Sequence, residues 1–283
     1  MGTRSWSARC SPTGTCAAAS DAVPAAHRVG SRVPLRLVPE AAVRLDRPTL
    51  RIVLLRPRVP ENLGAVARAM KNFGFGDWAL VEPATHDFRA AGRVAVHAEE
   101  LLDRPRVAAT LEEVIADCTW VVGTSSRKVR GKRQLSPQEV GAEVALRGGR
   151  TALVFGDERG GLSNADADRC HDLSTISAEA EQPSLNLAQA VLLYLWEVRR
   201  AAEATSSSAP SAASAEEGAE GGATGAELSV LETSLREALL DSGFLRGPER
   251  HAVRDLLGTL RRSRLSRREA RLWIAALRAR REG

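Results

Sequence analysis

LRIVLLRPRVPENLGAVARAMKNFGFGDWALVEP, residues 50–83, reads as one strand–helix–strand unit. LRIVLLR (50–56) is a Leu-rich, β-branched run of strand length. Leu63, Val66, Ala67 and Met70 fall at i, i+3, i+4 and i+7, the spacing of one helix face, so a helix is predicted from Asn62 to Phe73. Asn62 follows Pro60 and is a favoured N-cap type. WALVEP (78–83) is the second strand. The alternation continues with a helical stretch around 92–102 and a short helix over 111–118. TWVVGT (119–124) is a strand, and Ser136 to Glu139 forms a capping box opening a helix over 136–147. TALVFG (151–156) and DLSTIS (172–177) read as strands, followed by a long helix over 183–200. Apolar strands alternating with helices predict an α/β fold, a parallel sheet with helices on both faces.

Hydrophobic residues make up 43% of the 283, enough for a full core, but aromatics only 4%, so Leu, Val and Ala must fill it. No apolar run approaches the roughly 18 residues that a membrane span needs, so a soluble, cytoplasmic protein is expected. Cys10, Cys16, Cys118 and Cys170 form no CxxC pair, which predicts reduced thiols and no metal site. Residues 1–48 carry seven Arg against three acidic residues and show no periodic pattern. They are expected to be a disordered N-terminal extension. A catalytic domain follows over 49–201, with its charges in balance.

Residues 202–226 are rich in Ala, Ser, Gly and Glu and read as a flexible linker. Residues 227–283 hold thirteen Arg against eight acidic residues and are expected to form a helical RNA-binding or accessory domain. Leu228, Leu231, Leu235 and Leu239 line its first helix, and Val253, Leu256, Leu257 and Leu260 its second. The third is predicted to bury Leu272, Trp273, Ala276 and Leu277. Arg261, Arg262, Arg264, Arg267, Arg268 and Arg271 cluster there, either as phosphate contacts or as a solvated basic face.

Two motifs mislead. Gly74-Phe75-Gly76-Asp77-Trp78-Ala79 fits G-x-G-x-x-A but follows a helix and precedes a strand, the reverse of a dinucleotide fold. Gly131-Lys132 lacks the earlier glycine of a phosphate loop.

Three segments carry the signal: Asn62 to Gly74, Leu153 to Leu162 (LVFGDERGGL) and Pro183 to Val191 (PSLNLAQAV). Together, and in this order, they resemble the signature motifs of the SpoU group of RNA 2′-O-ribose methyltransferases, within the SPOUT superfamily. Gly123-Thr124-Ser125-Ser126-Arg127 and LREALLDSGFL (235–245) look like the TrmJ-type branch of that group. The resemblance covers roughly residues 50–200 and 228–281. It implies S-adenosyl-L-methionine as cofactor and a C-terminal trefoil knot, which periodicity would not predict. It also implies a homodimer with both active sites near the subunit interface. A tRNA substrate is implied, modified at a cytidine or uridine near the start of the anticodon loop.

By that resemblance Thr124, Ser125, Ser126, Gly156, Ile176, Ser184, Leu185 and Asn186 line the cofactor pocket. Arg68, Asn62 and Glu158 are the catalytic set. Arg68, Lys71, Arg127 and the bundle residues Arg261, Arg262, Arg264, Arg267 and Arg268 are the RNA contacts. Each has a plain alternative. Arg68 is either a solvated helix arginine or a phosphate clamp, since a guanidinium is too strong a cation to be a ready base. Glu158 either meets substrate or holds a neighbouring loop. Gly156 is expected to let backbone approach the cofactor, and Ser184 to cap the helix that follows it. One departure is the loop Ile176-Ser177-Ala178-Glu179-Ala180-Glu181-Gln182, where the family usually has Ile-Pro. Rival readings are a ribosomal RNA methyltransferase of the same group and a catalytically silent RNA-binding protein.

Overall fold

A computed structural model describes residues 50–85, 88–103, 105–208, 221–244 and 250–282. The expected N-terminal extension, with Cys10 and Cys16, lies outside the described residues.

The chain opens with β1 (Leu50–Leu55), α1 (Pro60–Phe73) and β2 (Trp78–Val81). Next come α2 (Phe88–Gly92), α3 (Glu99–Leu102), β3 (Arg106–Ala108), α4 (Leu111–Ile115) and β4 (Cys118–Thr124). β5 (Gln134–Leu135), α5 (Pro137–Leu146), β6 (Arg150–Phe155), α6 (Asn164–Arg169), β7 (Asp172–Ser174) and α7 (Leu187–Ser208) follow. One seven-stranded sheet results, in the order β3-β2-β1-β6-β4-β7-β5. Every pairing in it is parallel.

β1, β2 and β7 are buried along their whole length, which is why their sequences show no alternation. One face packs Leu63, Met70, Val140, Val191 and Leu195 of α1, α5 and α7 over Ile52, Leu54 and Leu153. The other packs Leu111 and Val114 of α4 and Ala167 of α6 over Val53, Val121 and Val154. At the start of β1, Arg51 is buried. Its guanidinium donates to Asp77 at 2.9 Å, to Asp117 at 2.7 Å and to the Val114 carbonyl at 2.6 Å. This tethers the N-terminal ends of the strands and leaves the C-terminal ends to the loops that build the site.

Several boundaries depart from the periodicity. α1 starts at Pro60, a residue suited to a first helical position, and Val59 caps it without a side-chain bond. Asn62 is therefore inside the helix, buried, and free to bond elsewhere. Gly64 faces inward, since a Cβ there would lie 2.0 Å from the Ala91 carbonyl oxygen of α2. The stretch expected as a helix around 92–102 is instead the end of α2, a turn segment and the short α3. α6 went unread, although Ser163 and Asp166 form a full capping box before it. α7 starts four residues later than expected and runs on to Ser208, so helix replaces the first part of the expected linker.

The bundle comprises α8 (Gly225–Asp241), α9 (Arg250–Arg262) and α10 (Arg267–Glu282). A capping box of Thr224 and Glu227 opens α8, and Ala223 is buried, so order returns before the expected end of the linker. The bundle core is Leu228, Leu231, Leu235, Val253, Leu257, Leu265 and Ala270, with Ile274 and Leu277 packed against it. Leu272 and Trp273, expected inside, are 59% and 48% exposed, and Ala276 and Leu256 are exposed too. Leu277 packs inward as expected, and Ile274, one position past Trp273, joins it on the inner face.

Candidate active site

Four loops meet at the C-terminal ends of β1, β6, β4 and β7, where open α/β sheets bind ligands. They enclose a cleft of about 650 Å³. Thr124, Ser125, Ser126, Gly156, Ile176, Ser184, Leu185 and Asn186 all line it, as do Asn62, Glu158 and Arg127.

A chain of hydrogen bonds joins the three motifs. Asn186 Nδ2 donates to Asn62 Oδ1 at 2.9 Å, and Asn62 Nδ2 donates to Glu158 Oε1 at 3.2 Å. Glu158 also accepts from the backbone N–H groups of Arg58 at 3.1 Å and Val59 at 3.4 Å. Its carboxylate thus holds the β1–α1 loop, the second of the two roles open to it. Asn186, not Ser184, caps α7: its Oδ1 accepts from the Ala188 N–H at 2.9 Å and the Gln189 N–H at 3.4 Å.

The LVFGDERGGL segment closes on itself as a tight turn. Asp157 and Gly161 exchange backbone hydrogen bonds at 3.2 and 2.8 Å. A Cβ on Gly156 would lie 2.1 Å from the Gly161 carbonyl carbon, so the glycine serves this turn rather than the approach of a ligand. Asp157 accepts from the Arg58 guanidinium at 2.9 Å. Burial pushes the Asp157 carboxyl up, but the Arg159 N–H and the Arg58 guanidinium outweigh this and hold it below the usual range.

The β4–β5 loop is pinned from both sides. The Ser125 N–H donates to the Ser174 carbonyl at 2.9 Å, and Thr124 Oγ1 to the Val154 carbonyl at 3.2 Å. Thr175 Oγ1 and Gln134 Nε2 both donate to the Ser125 carbonyl, at 2.5 and 2.9 Å. Arg127, expected to face RNA, turns back: its guanidinium donates to the Leu162 carbonyl and to Asn164 Oδ1 at 3.4 Å. Arg159 and Arg127 leave two guanidinium groups at the cleft.

The remaining candidates stand apart. Arg68 and Lys71 are exposed on α1 and do not line the cleft. Lys71 pairs with Glu100 at 2.5 Å. In the bundle, Arg261 is inward, donating to the Arg169 carbonyl at 3.0 Å and Glu232 at 3.4 Å. Arg262 donates to the Gly131 carbonyl at 2.8 Å and Arg264 to Glu143 at 3.1 Å. These three dock the bundle on the sheet domain. Arg267 and Arg271 share Glu227, at 3.6 and 3.3 Å. Arg268 is exposed without an ion-pair partner among the described residues.

Residues 49–196 match the family described as SpoU rRNA Methylase. The chain belongs to this family. A tRNA (cytidine/uridine/adenosine-2′-O-)-methyltransferase TrmJ from Pseudomonas aeruginosa (strain UCBPP-PA14) is 36% identical to it over 225 residues, 77% of this chain and 86% of that protein. A tRNA (cytidine/uridine-2′-O-)-methyltransferase TrmJ from Salmonella typhimurium (strain LT2) is 37% identical over 200 residues, covering 70% and 81%. The crystal structure of TrmJ from Z. mobilis ZM4 superposes with a TM-score of 0.70 at 30% identity, over 82% of this chain and 98% of that one.

In this SpoU-family chain, Arg58, Arg159 and Tyr194 were not legible as site residues. Arg58 and Arg159 flank the turn only once it folds. Tyr194 sits mid-helix as an ordinary core aromatic, yet lines the cleft floor and donates to Ser174 Oγ at 2.7 Å.

Proposed function

We propose that this chain transfers the methyl group of S-adenosyl-L-methionine to a ribose 2′-hydroxyl of tRNA, at a cytidine or uridine near the start of the anticodon loop. The carrying observation is the cleft in which all three SpoU motifs and the Thr124–Ser126 loop meet. Its volume lies within the range of small-ligand sites. Ile176, Leu185 and Leu187 offer apolar wall, and the Ser125, Ser126 and Ser184 hydroxyls offer polar contacts, a set that fits an adenosyl group. S-Adenosyl-L-methionine supplies an electrophilic methyl on a sulfonium when bound there.

The chain's own part is alignment. The Glu158–Asn62–Asn186 links hold the β1–α1 loop, the Gly156–Gly161 turn and the start of α7 in one register. An in-line displacement gains much of its rate from such positioning. Glu158 is occupied by N–H donors and is not the base for the 2′-hydroxyl proton. Arg159, in the cleft wall, is the guanidinium left to hold a phosphate beside the reacting ribose.

Arg68 acts, in this reading, from a second copy of the chain. Leu192, Leu193 and Trp196 leave an exposed apolar strip on α7, and Trp196 meets Phe73 of α1 edge-on at 6.1 Å. A homodimer that buries this strip would carry the α1 arginine across to its partner's cleft. The trefoil knot and a cytoplasmic location belong to the same proposal, as do exposed Arg268 and its neighbours on α10 as the RNA surface of the bundle. The TrmJ relatives favour tRNA over ribosomal RNA, and the complete motif set favours an enzyme over a silent binder.

Nucleoside mapping of RNA from cells lacking the gene tests the substrate. The expected loss is one 2′-O-methylpyrimidine from tRNA. Loss from ribosomal RNA alone would overturn the tRNA assignment.

A further inference from the structure

A second cavity, of about 200 Å³, lies where the bundle meets the sheet domain. His171, Arg169 and Glu112 line it from the sheet domain, and Arg236, Glu232 and Arg261 from the bundle. None of the first cleft's residues takes part.

His171 is 6% exposed. Its Nδ1 accepts from the Val121 N–H at 3.0 Å, so this nitrogen carries no proton. Burial, with Arg261 and Lys132 nearby, pushes its pKa down to about 3, so the ring is neutral and its proton sits on Nε2. No acceptor among the described residues takes that proton, and His171 lines the cavity, so a ligand there can accept it.

The cavity wall also carries unbalanced charge. Both carboxylates are already engaged: Glu112 by Arg169, and Glu232 by Arg236 and Arg261 at 3.3 and 3.4 Å. Three arginines against two glutamates leave one positive charge. Lys132 adds another behind the wall, its ammonium on the Cys170 carbonyl and, at 3.2 Å, the Asp168 carbonyl. Arg261 uses two of its five N–H donors. The volume far exceeds the ~10–15 Å³ that one water requires. Water would answer a free N–H but not the excess charge, whereas an oxyanion answers both.

We propose that this cavity binds one phosphate-class oxyanion through His171 Nε2–H, Arg261 and Arg236, joining the bundle to the sheet domain. Free phosphate and a backbone phosphate of bound RNA present the same chemistry. The inference does not depend on the methyl-transfer reading, because it uses none of that site's residues.

The test uses the full chain in inorganic phosphate against chloride at equal ionic strength, followed by calorimetry and thermal unfolding. One phosphate should bind per chain, raising the unfolding midpoint by about 3–5 °C at tenfold saturation. Arg236→Ala, a half-exposed position, and Thr233→Leu, which fills the cavity edge, should each lose that shift while folding normally in chloride. In a second arm, phosphate that competes with tRNA, together with weaker tRNA binding by Arg236→Ala, identifies RNA as the source. Unchanged tRNA affinity identifies the free ion. No phosphate-specific shift in the parent chain, or an equal shift in both variants, would overturn the proposal.

Discussion

The sheet domain and the bundle use their polar side chains differently. In the sheet domain the motif residues turn toward one another: Asn62, Glu158 and Asn186 form one hydrogen-bonded line beneath an open cleft. In the bundle the arginines divide. Arg261, Arg262 and Arg264 face the sheet domain as docking groups, while Arg268 faces solvent. A short polar residue in a motif was a good guide to the site. A charge in a cluster was not a guide to what it touches.

The sharpest way to break the contrast lies on α1, where exposed Arg68 is assigned a role that the single chain does not display. Arg68→Ala should lower kcat about 10²–10³-fold, the scale of one lost transition-state contact, with S-adenosyl-L-methionine affinity and oligomeric state unchanged by calorimetry and light scattering. Near-normal turnover would make it a solvated surface arginine. Glu158→Ala should follow, at about 100-fold, since the Arg58 and Val59 N–H groups and Asn62 lose their common acceptor and the loop shifts. Here cofactor affinity should fall as well, which separates the two variants.

The bundle prediction is smaller and set in stability. Arg261→Ala should destabilise by about 1–3 kcal/mol, because the Arg169 carbonyl and Glu232 lose a largely buried donor. Arg268→Ala should change stability by under ~0.5 kcal/mol yet flatten the salt dependence of tRNA affinity by about 0.7–0.9 in log–log slope. If the two variants behave alike, the division between docking and exposed arginines fails.

The elements were legible where packing is regular. Strands β1, β4 and β6 are apolar because both faces are covered, and α1 and α5 show their inner faces in the sequence. β3 and β5 escaped notice because two or three edge residues carry no pattern. Trp273 was misplaced because a stripe read from hydrophobicity favours large residues, while the bundle buries smaller Ala270 and Ile274 beside Leu277. In the site, residue types pointed to the right loops but not always to the right roles. Gly156 answers its own turn, Ser184 gives way to Asn186 as cap, and Arg127 bonds the Leu162 loop. The Gly156 and Asn186 contacts are local and the Arg127 contact joins two loops, but residue type alone does not choose among such partners.

Acid should act through the junction of the two regions. His171 has a folded pKa of about 3, below its usual ~6.5, so it contributes stability fully present above pH ~6.5 and lost as pH falls toward 3. Asp172, which burial pushes up but Arg133 and Trp120 hold below the usual range, adds a loss only below pH ~4. Unfolding free energy should therefore fall by up to about 1.4 kcal/mol per pH unit between pH 6 and 4. His171→Asn, which keeps an acceptor for the Val121 N–H, should flatten that slope. An unchanged slope would place the acid sensitivity elsewhere.

The central claim is methyl transfer to a ribose oxygen of tRNA, and an in vitro transfer measures it directly. Purified chain, S-adenosyl-L-methionine labelled in its methyl group and an unmodified tRNA transcript are incubated, and the product is digested to nucleosides. The expected result is one labelled 2′-O-methylcytidine or 2′-O-methyluridine per tRNA, abolished when that nucleotide is replaced by its 2′-deoxy form. Label on a base, or no transfer by a dimer that demonstrably binds the cofactor and tRNA, would contradict the account.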